Sequence, residues 1–209
     1  MNYCEFCQNA NADDPNIYYH DNEYGFPLTD DSALFGRFIL EIMQAGLSWT
    51  TILRKRYAIQ NAFDDFAISK IAHYTDQDIT RLMNDSNIIR NRRKIEAIIF
   101  NAKAIQKIQH THQSFKNWLD TNYPLPLKDW VKLFKQHFRF VGHEIVKEFL
   151  LSTAYLKGAH SPDCPIALKI AKNKSKDKSE TFAKLVDVSK FQSCSSTTNE
   201  DITSKKACR

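Results

Sequence analysis

The sequence predicts an all-α protein. Apolar residues recur at three- and four-residue spacing from about residue 30 to beyond residue 150, Asp30 supplies an N-cap ahead of the first such run, and no segment alternates apolar with polar residues as a half-exposed strand would. With 209 residues, 43% of them apolar, the chain can bury a sizeable core. The expected division is one helical domain over residues 1–166 and a basic, Ser/Lys-rich tail over residues 167–209 that is too polar to pack. That tail holds ten Lys or Arg against five Asp or Glu and so carries the whole formal charge of +5. Any attraction of residues 1–166 for a polyanion must therefore come from local patches. The tail either helps hold the protein near a polyanion or simply keeps it in solution. No membrane span is expected. The N-terminal Met-Asn-Tyr-Cys-Glu-Phe-Cys lacks the basic and apolar blocks of a signal peptide, which predicts a cytoplasmic protein. In a reducing compartment five cysteines point to thiols or metal ligands rather than disulfides.

Residues 1 to 30 show no helical or strand period and are expected to be irregular, with support from outside. Cys4 and His20 offer two zinc ligand types, and His160-Ser-Pro-Asp-Cys164 offers two more at a short spacing that lets both reach one ion. Such a set would clip the start of the domain to its end. Cys7, in Cys4-x-x-Cys7, competes with Cys4 for that role.

The first long helix is expected over Ser32 to Ala45. Ile39, Ile42, Met43 and Ala45 can share an apolar face, and Glu41 and Gln44 lie three residues apart on a neighbouring one. A lone carboxylate inside such an apolar run suits a cavity, where it would converge with Gln44 and with Trp49, beyond the stop at Gly46, on one small ligand. The alternative is an amphipathic helix that shows Glu41 to water. Further helices are expected over Thr50 to Phe63, in a short turn after Ala67, and over Asp76 to Met83. Asp64 and Asp65 fall in a connecting loop and are assigned no chemistry.

After Met83 a short polar turn leads into a second amphipathic helix that opens with Arg90, Arg92, Arg93 and Lys94. This pattern predicts a helix-hairpin-helix. Backbone N–H groups at the new N-terminus can cradle a phosphate, and cations there are poor partners for the helix dipole unless a polyanion arrives. The other reading is a solvated basic face. The remaining helices are expected over Phe115 to Asn122, Leu127 to Phe138 and Ile145 to Leu156. Gly142, ahead of the last, is expected at a close approach, whereas His110, His112 and His137 read as surface residues.

Five stretches together resemble the DNA-3-methyladenine glycosylase I family: Tyr19-His-Asp-Asn-Glu-Tyr-Gly-Phe-Pro27, Glu41-Ile-Met-Gln-Ala-Gly-Leu-Ser-Trp49, Ile88-Ile-Arg-Asn-Arg-Arg-Lys-Ile95, Phe140-Val-Gly142 and His160-x3-Cys164. The resemblance runs in order from Cys4 to about Cys164. It implies a helix-hairpin-helix glycosylase fold with one structural zinc per chain, held by Cys4, His20, His160 and Cys164. It also implies a base pocket of Glu41, Tyr19 and Trp49, with Gln44 beside them, and a DNA contact through Arg90, Arg92, Arg93 and Lys94. The implied partner is double-stranded DNA containing alkylated bases, bound by a monomer. The implied activity is hydrolysis of the N-glycosidic bond of 3-methyladenine without strand cleavage.

This chain departs from the family's pattern in having Tyr24 where Trp is usual, Asn16 where a second tyrosine is usual, Arg93 where Gly is frequent, and His143 and Glu144 where Thr is common. One aromatic wall is accordingly expected to be thinner. The superfamily's usual catalytic Asp has no counterpart, since no Asp or Glu occurs from Ala97 through Leu119. A base made cationic by N3-methylation needs less acid–base help to leave, so recognition by a desolvated carboxylate and stacking rings can do most of the work. No lysine stands in the pocket motifs, which argues for direct hydrolysis with no Schiff base and no strand cleavage. Two alternatives stand beside this reading: a zinc-stabilised DNA-binding module without catalysis, and a glycosylase for another alkylated base.

Overall fold

The computed structural model describes residues 2–172, and every regular element among them is a helix. The N-terminal thirty residues correct the expectation of an irregular segment, for they contain α1 (Tyr3–Asn9) and α2 (Pro15–Asn22). Capping rather than periodicity makes these helices. Asn2 and Glu5 form a reciprocal capping box on α1, and Asp14 accepts from the Asn16 N–H with Pro15 in the first position of α2.

The next helix, α3 (Asp31–Gln44), is the centre of the fold. Asp30 caps it, and Leu34, Phe35, Phe38, Ile39, Ile42 and Met43 are buried along it. Ser48 caps α4 (Trp49–Ala62), and a tight turn at Asp64–Phe66 leads into α5 (Ile68–Ile71). All three residues of that turn have positive φ. Its Phe66 ring lies so close to α3 that a Cβ at Gly36 would come within 2.3 Å of it, so no larger residue fits there without movement. Then follow α6 (Asp76–Asn84), α7 (Arg92–His112), α8 (Phe115–Asn122), α9 (Leu127–His137) and α10 (His143–Ser152). A core of Phe38, Phe115, Phe134, Phe138 and Phe149, with neighbouring centroids 5.2–6.3 Å apart, joins α3 to α8, α9 and α10.

Other expectations are corrected here. Gly142 serves as the extended N-cap of α10, and a Cβ on it would meet nothing within 4 Å, so close approach is not its role. Helix α10 stops at Ser152, four residues short of Leu156, because Thr153 and the positive-φ Ala154 turn the chain. The chain is again helical over residues 165–172. The rest of the expected tail, residues 173–209, lies outside the described residues. No helix among the described residues is long and apolar enough to cross a membrane.

Two polar clamps fix the parts of this frame that bear on the site. The buried Lys94 of α7 donates from Nζ to the carbonyls of Met43 (2.9 Å) and Ala45 (2.6 Å), so a cation caps the C-terminal end of α3. The fully buried Asn101 donates from Nδ2 to the Arg139 carbonyl (3.0 Å) and accepts from the Arg139 N–H (2.8 Å), which holds the loop before α10 against α7.

Candidate active site

Near its C-terminal end α3 presents Glu41 to a cavity of about 250 Å³ lined by Tyr3, Tyr19, Tyr24, Glu41, Gln44, Trp49 and Glu148. Five helices and the turn after α2 contribute. Glu41 is 4% exposed, which excludes the reading of a carboxylate shown to water, and its side chain takes no hydrogen bond from the described residues. Burial pushes its carboxyl up to about 8, the nearby Arg37 charge pulls it down, and Glu148 pushes it up. The buried Trp49 indole N–H likewise has no partner. A carboxylate with no hydrogen bond among the described residues and a buried, unpaired donor thus share one small cavity, and leaving that donor unmet is costly.

Aromatic rings make the walls. Tyr19 lies 5.0 Å from Trp49 and 5.7 Å from Tyr24 between centroids, and Tyr3 packs edge-on to Tyr24 at 5.3 Å. The buried guanidinium of Arg37 donates to the Tyr19 hydroxyl and lies 4.6 Å from its ring centroid. Tyr24 donates its hydroxyl to Glu148 at 3.1 Å. Gln44 spends its amide N–H₂ on the Leu47 carbonyl (3.0 Å), tying the turn between α3 and α4.

The thinner wall expected at Asn16 does not occur. Asn16 is buried, and its side-chain oxygen accepts from the Tyr3 hydroxyl at 3.1 Å while its amide donates to Thr50, so α1 supplies a ring of its own. Sequence reasoning also missed Glu148 and Arg37. Glu148 follows Glu144 and Lys147 on α10, a charged sequence context that does not set it apart. Arg37 sits one turn before Glu41, and that i, i+4 spacing was the available signal.

Beside the cavity, Cys4, His20, His160 and Cys164 bring one ligand atom each to within 4.8 Å of one another. His160 Nδ1 stands 3.1 Å from His20 Nε2, the Cys164 sulfur 3.7 Å from each of these nitrogens, and the Cys4 sulfur 3.8 Å from His160 Nδ1. A tetrahedral zinc with its usual bond lengths needs ligand atoms about 3.3–3.8 Å apart. The other ring nitrogens are also provided for. His20 Nδ1 meets the Asp21 carboxylate (2.7 Å) and His160 Nε2 the Tyr24 carbonyl (2.8 Å), which fixes the ring orientation a metal needs. Cys7 stands apart from this set, with its thiol on the Asn16 carbonyl at 3.7 Å.

The basic residues divide. Arg90 precedes α7, Arg92 and Arg93 form its first turn, and all three are exposed, with Arg92 3.3 Å from Glu96. Lys94 corrects its reading as a fourth DNA contact, because it is 3% exposed and its amino group is used on the α3 carbonyls. Lys55 of α4 holds the turn before α7 by donating to the Ser86 and Asn87 carbonyls (3.4 and 2.8 Å).

Comparison with known proteins bears on this arrangement. A family model described as methyladenine glycosylase matches residues 9–129. A DNA-3-methyladenine glycosylase of Haemophilus influenzae is 37% identical over 168 residues, 71% of this chain and 90% of that protein. DNA-3-methyladenine glycosylase 1 of Escherichia coli is 42% identical over 115 residues, 55% of this chain and 62% of its own length. A solved structure of 3-methyladenine DNA glycosylase I, a tyrosine-to-phenylalanine variant in complex with 3-methyladenine, matches with a TM-score of 0.69 at 36% identity, over 79% of this chain and 97% of that one. The family match spans more than half of the chain and takes in Glu41 and Trp49, while the Haemophilus protein is matched over nearly its full length; the chain belongs to the methyladenine glycosylase family.

Proposed function

We propose that this protein excises 3-methyladenine from alkylated DNA, and that the unpartnered, buried Glu41 carboxylate in an aromatic cavity is the observation that carries the reading. The relatives named above are DNA-3-methyladenine glycosylases, and one was solved with 3-methyladenine bound. The enzyme hydrolyses the N-glycosidic bond and releases the free base.

An extruded base enters the cavity at a cost of a few kcal/mol. There the Glu41 anion faces the positive charge of the methylated ring, the Trp49 N–H offers a donor to a ring acceptor, and Tyr19, Tyr24 and Tyr3 supply stacking faces. Neutral adenine would bring no positive charge to Glu41, so it binds less well. The glycosidic bond of a cationic base is already weakened, and water completes the displacement at the sugar. No lysine lines the cavity, and the nearby Lys94 amino group is engaged with carbonyls. Both facts support direct hydrolysis with no imine and no strand cleavage.

In the same reading, α6, the turn at residues 85–91 and α7 act as a helix-hairpin-helix on double-stranded DNA, with Arg90, Arg92 and Arg93 at the phosphates. Cys4, His20, His160 and Cys164 hold one structural zinc, a set supported by the ligand spacing and the second partners of both histidines. The metal takes no part in bond cleavage. The protein works as a monomer where the cell's DNA is. Incubating it with methylated duplex DNA and identifying the free bases released tests the reading. Release of 3-methyladenine with little 7-methylguanine is expected, and release of neither overturns it.

A further inference from the structure

Arg37 belongs to none of the motifs that point to the site, yet it is 6% exposed and one of its two hydrogen-bond partners, Tyr19, is a wall of the cavity. It sits on α3 one turn before Glu41. Its guanidinium donates from one nitrogen to the Tyr19 hydroxyl and from the other to Glu23 (3.0 Å), and it lies 4.6 Å from the Tyr19 ring centroid. Glu23 is held in turn by Arg56 at 2.8 Å. The planar fork is therefore fixed at both ends, a geometry that a lysine cannot reproduce.

We propose that Arg37 is a positioning residue for base capture: it fixes the Tyr19 phenol in the cavity wall and keeps a permanent countercharge one helical turn from the buried Glu41 carboxylate. The fork donates to the phenol oxygen, so the Tyr19 proton is left to point elsewhere, and accepting from Arg37 makes that O–H a stronger donor. The countercharge opposes the effect of burial on Glu41, so more of the enzyme holds the anion that a cationic base requires. The other titratable or charged groups facing this carboxylate are Tyr19 of α2, Tyr24 after it, Tyr3 of α1 and Glu148 of α10. None is a cation, so Arg37 alone among these groups supplies positive charge.

The inference rests on Glu41 as the group that meets the base, and two substitutions separate its parts. Arg37→Gln removes the charge but keeps a donor for Tyr19, and Arg37→Lys keeps the charge but loses the fork. On methylated duplex DNA, kcat/KM of the wild-type protein should rise with pH along a limb whose midpoint lies near 8. In Arg37→Gln that limb should move up by about one pH unit. In Arg37→Lys the limb should stay in place while KM rises several-fold and kcat changes little. If both variants melt earlier yet keep the wild-type limb and KM, Arg37 is only structural and the inference falls. Should either variant fail to fold, the other still tests its half, since the limb reports charge and KM reports the fork. A wild-type rate and profile in Glu41→Gln would instead remove the reading beneath the inference, and the inference with it.

Discussion

At the scale of single residues, Glu41 decides between recognition and mere folding. Glu41→Gln keeps size and hydrogen-bonding capacity but removes the charge, and a charge-assisted contact is worth roughly 1.5–3 kcal/mol. Excision of 3-methyladenine by this variant should fall at least about tenfold in a single-turnover assay, with binding to undamaged duplex unchanged. The pH limb of kcat/KM should vanish with it. The same substitution has a stability signature of opposite benefit. Folding raises the Glu41 carboxyl from its ordinary 4.5 to about 8, so its contribution to stability is fully present below pH 4.5 and is lost as pH rises through 8. Glutamine does not titrate, and Glu41→Gln should therefore gain in melting temperature over the wild type between pH 5 and pH 9. A gap that stays constant across that range would show that the carboxylate is not buried as described. Glu41 was legible in the sequence because it interrupts an apolar run. Glu148 was not, because its charged neighbours, the exposed Glu144 and the half-buried Lys147, do not set it apart and only the third dimension turns it toward Tyr24.

At the scale of elements, the long helices from α3 onward were legible from their period, whereas α1 and α2 were not. Seven and eight residues are too few for a period to show, and the evidence lay instead in the Asn2–Glu5 box and in Asp14-Pro15. The first turn of α7 shows the limit of reading charge along a chain. Arg92, Arg93 and Lys94 are consecutive, but a helix turns about 100° per residue, so the third points inward to α3 and the first two point out. Their substitutions should behave differently. Arg92→Ala or Arg93→Ala should weaken binding to all duplex sequences alike and lower the salt slope by about one each. Lys94→Ala should leave the salt slope unchanged and destabilise the fold, since it strips two carbonyls at the end of α3 of their donor at about 1–3 kcal/mol. Titration of duplex binding against salt, with thermal melting alongside, distinguishes the two. A lower slope for Lys94→Ala would return it to the DNA-binding set.

At the scale of the whole molecule, the four Cys and His side chains proposed to hold zinc bring together positions 4, 20, 160 and 164. These four were named from residue types and from the family resemblance, and spacing alone left Cys7 in contention. What separates Cys7 from Cys4 is helical phase, since both lie on α1, with Cys4 turned to His160 and Cys7 to Asn16. The site also bears on the cavity. His160 holds the Tyr24 carbonyl, Tyr3 precedes Cys4, and Tyr19 precedes His20, so three aromatic walls hang on one set of ligands while Glu41 and Trp49 belong to α3 and α4. Structural zinc in small peptides is worth roughly 10–16 kcal/mol of apparent binding energy, and even a fraction of that is large against a domain stability of about 5–15 kcal/mol. Removing the metal should therefore do two things. A chelator strong enough to strip zinc, or Cys164→Ala, should lower the melting temperature. It should also raise KM for methylated duplex, because the tyrosine walls loosen before α3 does. Metal analysis should find one zinc per chain in the wild type and in Cys7→Ala, but not in Cys164→Ala. Full metal content in Cys164→Ala with loss in Cys7→Ala would mean that the wrong thiol faces the ion, and an unchanged KM in the stripped protein would detach the cavity from the site.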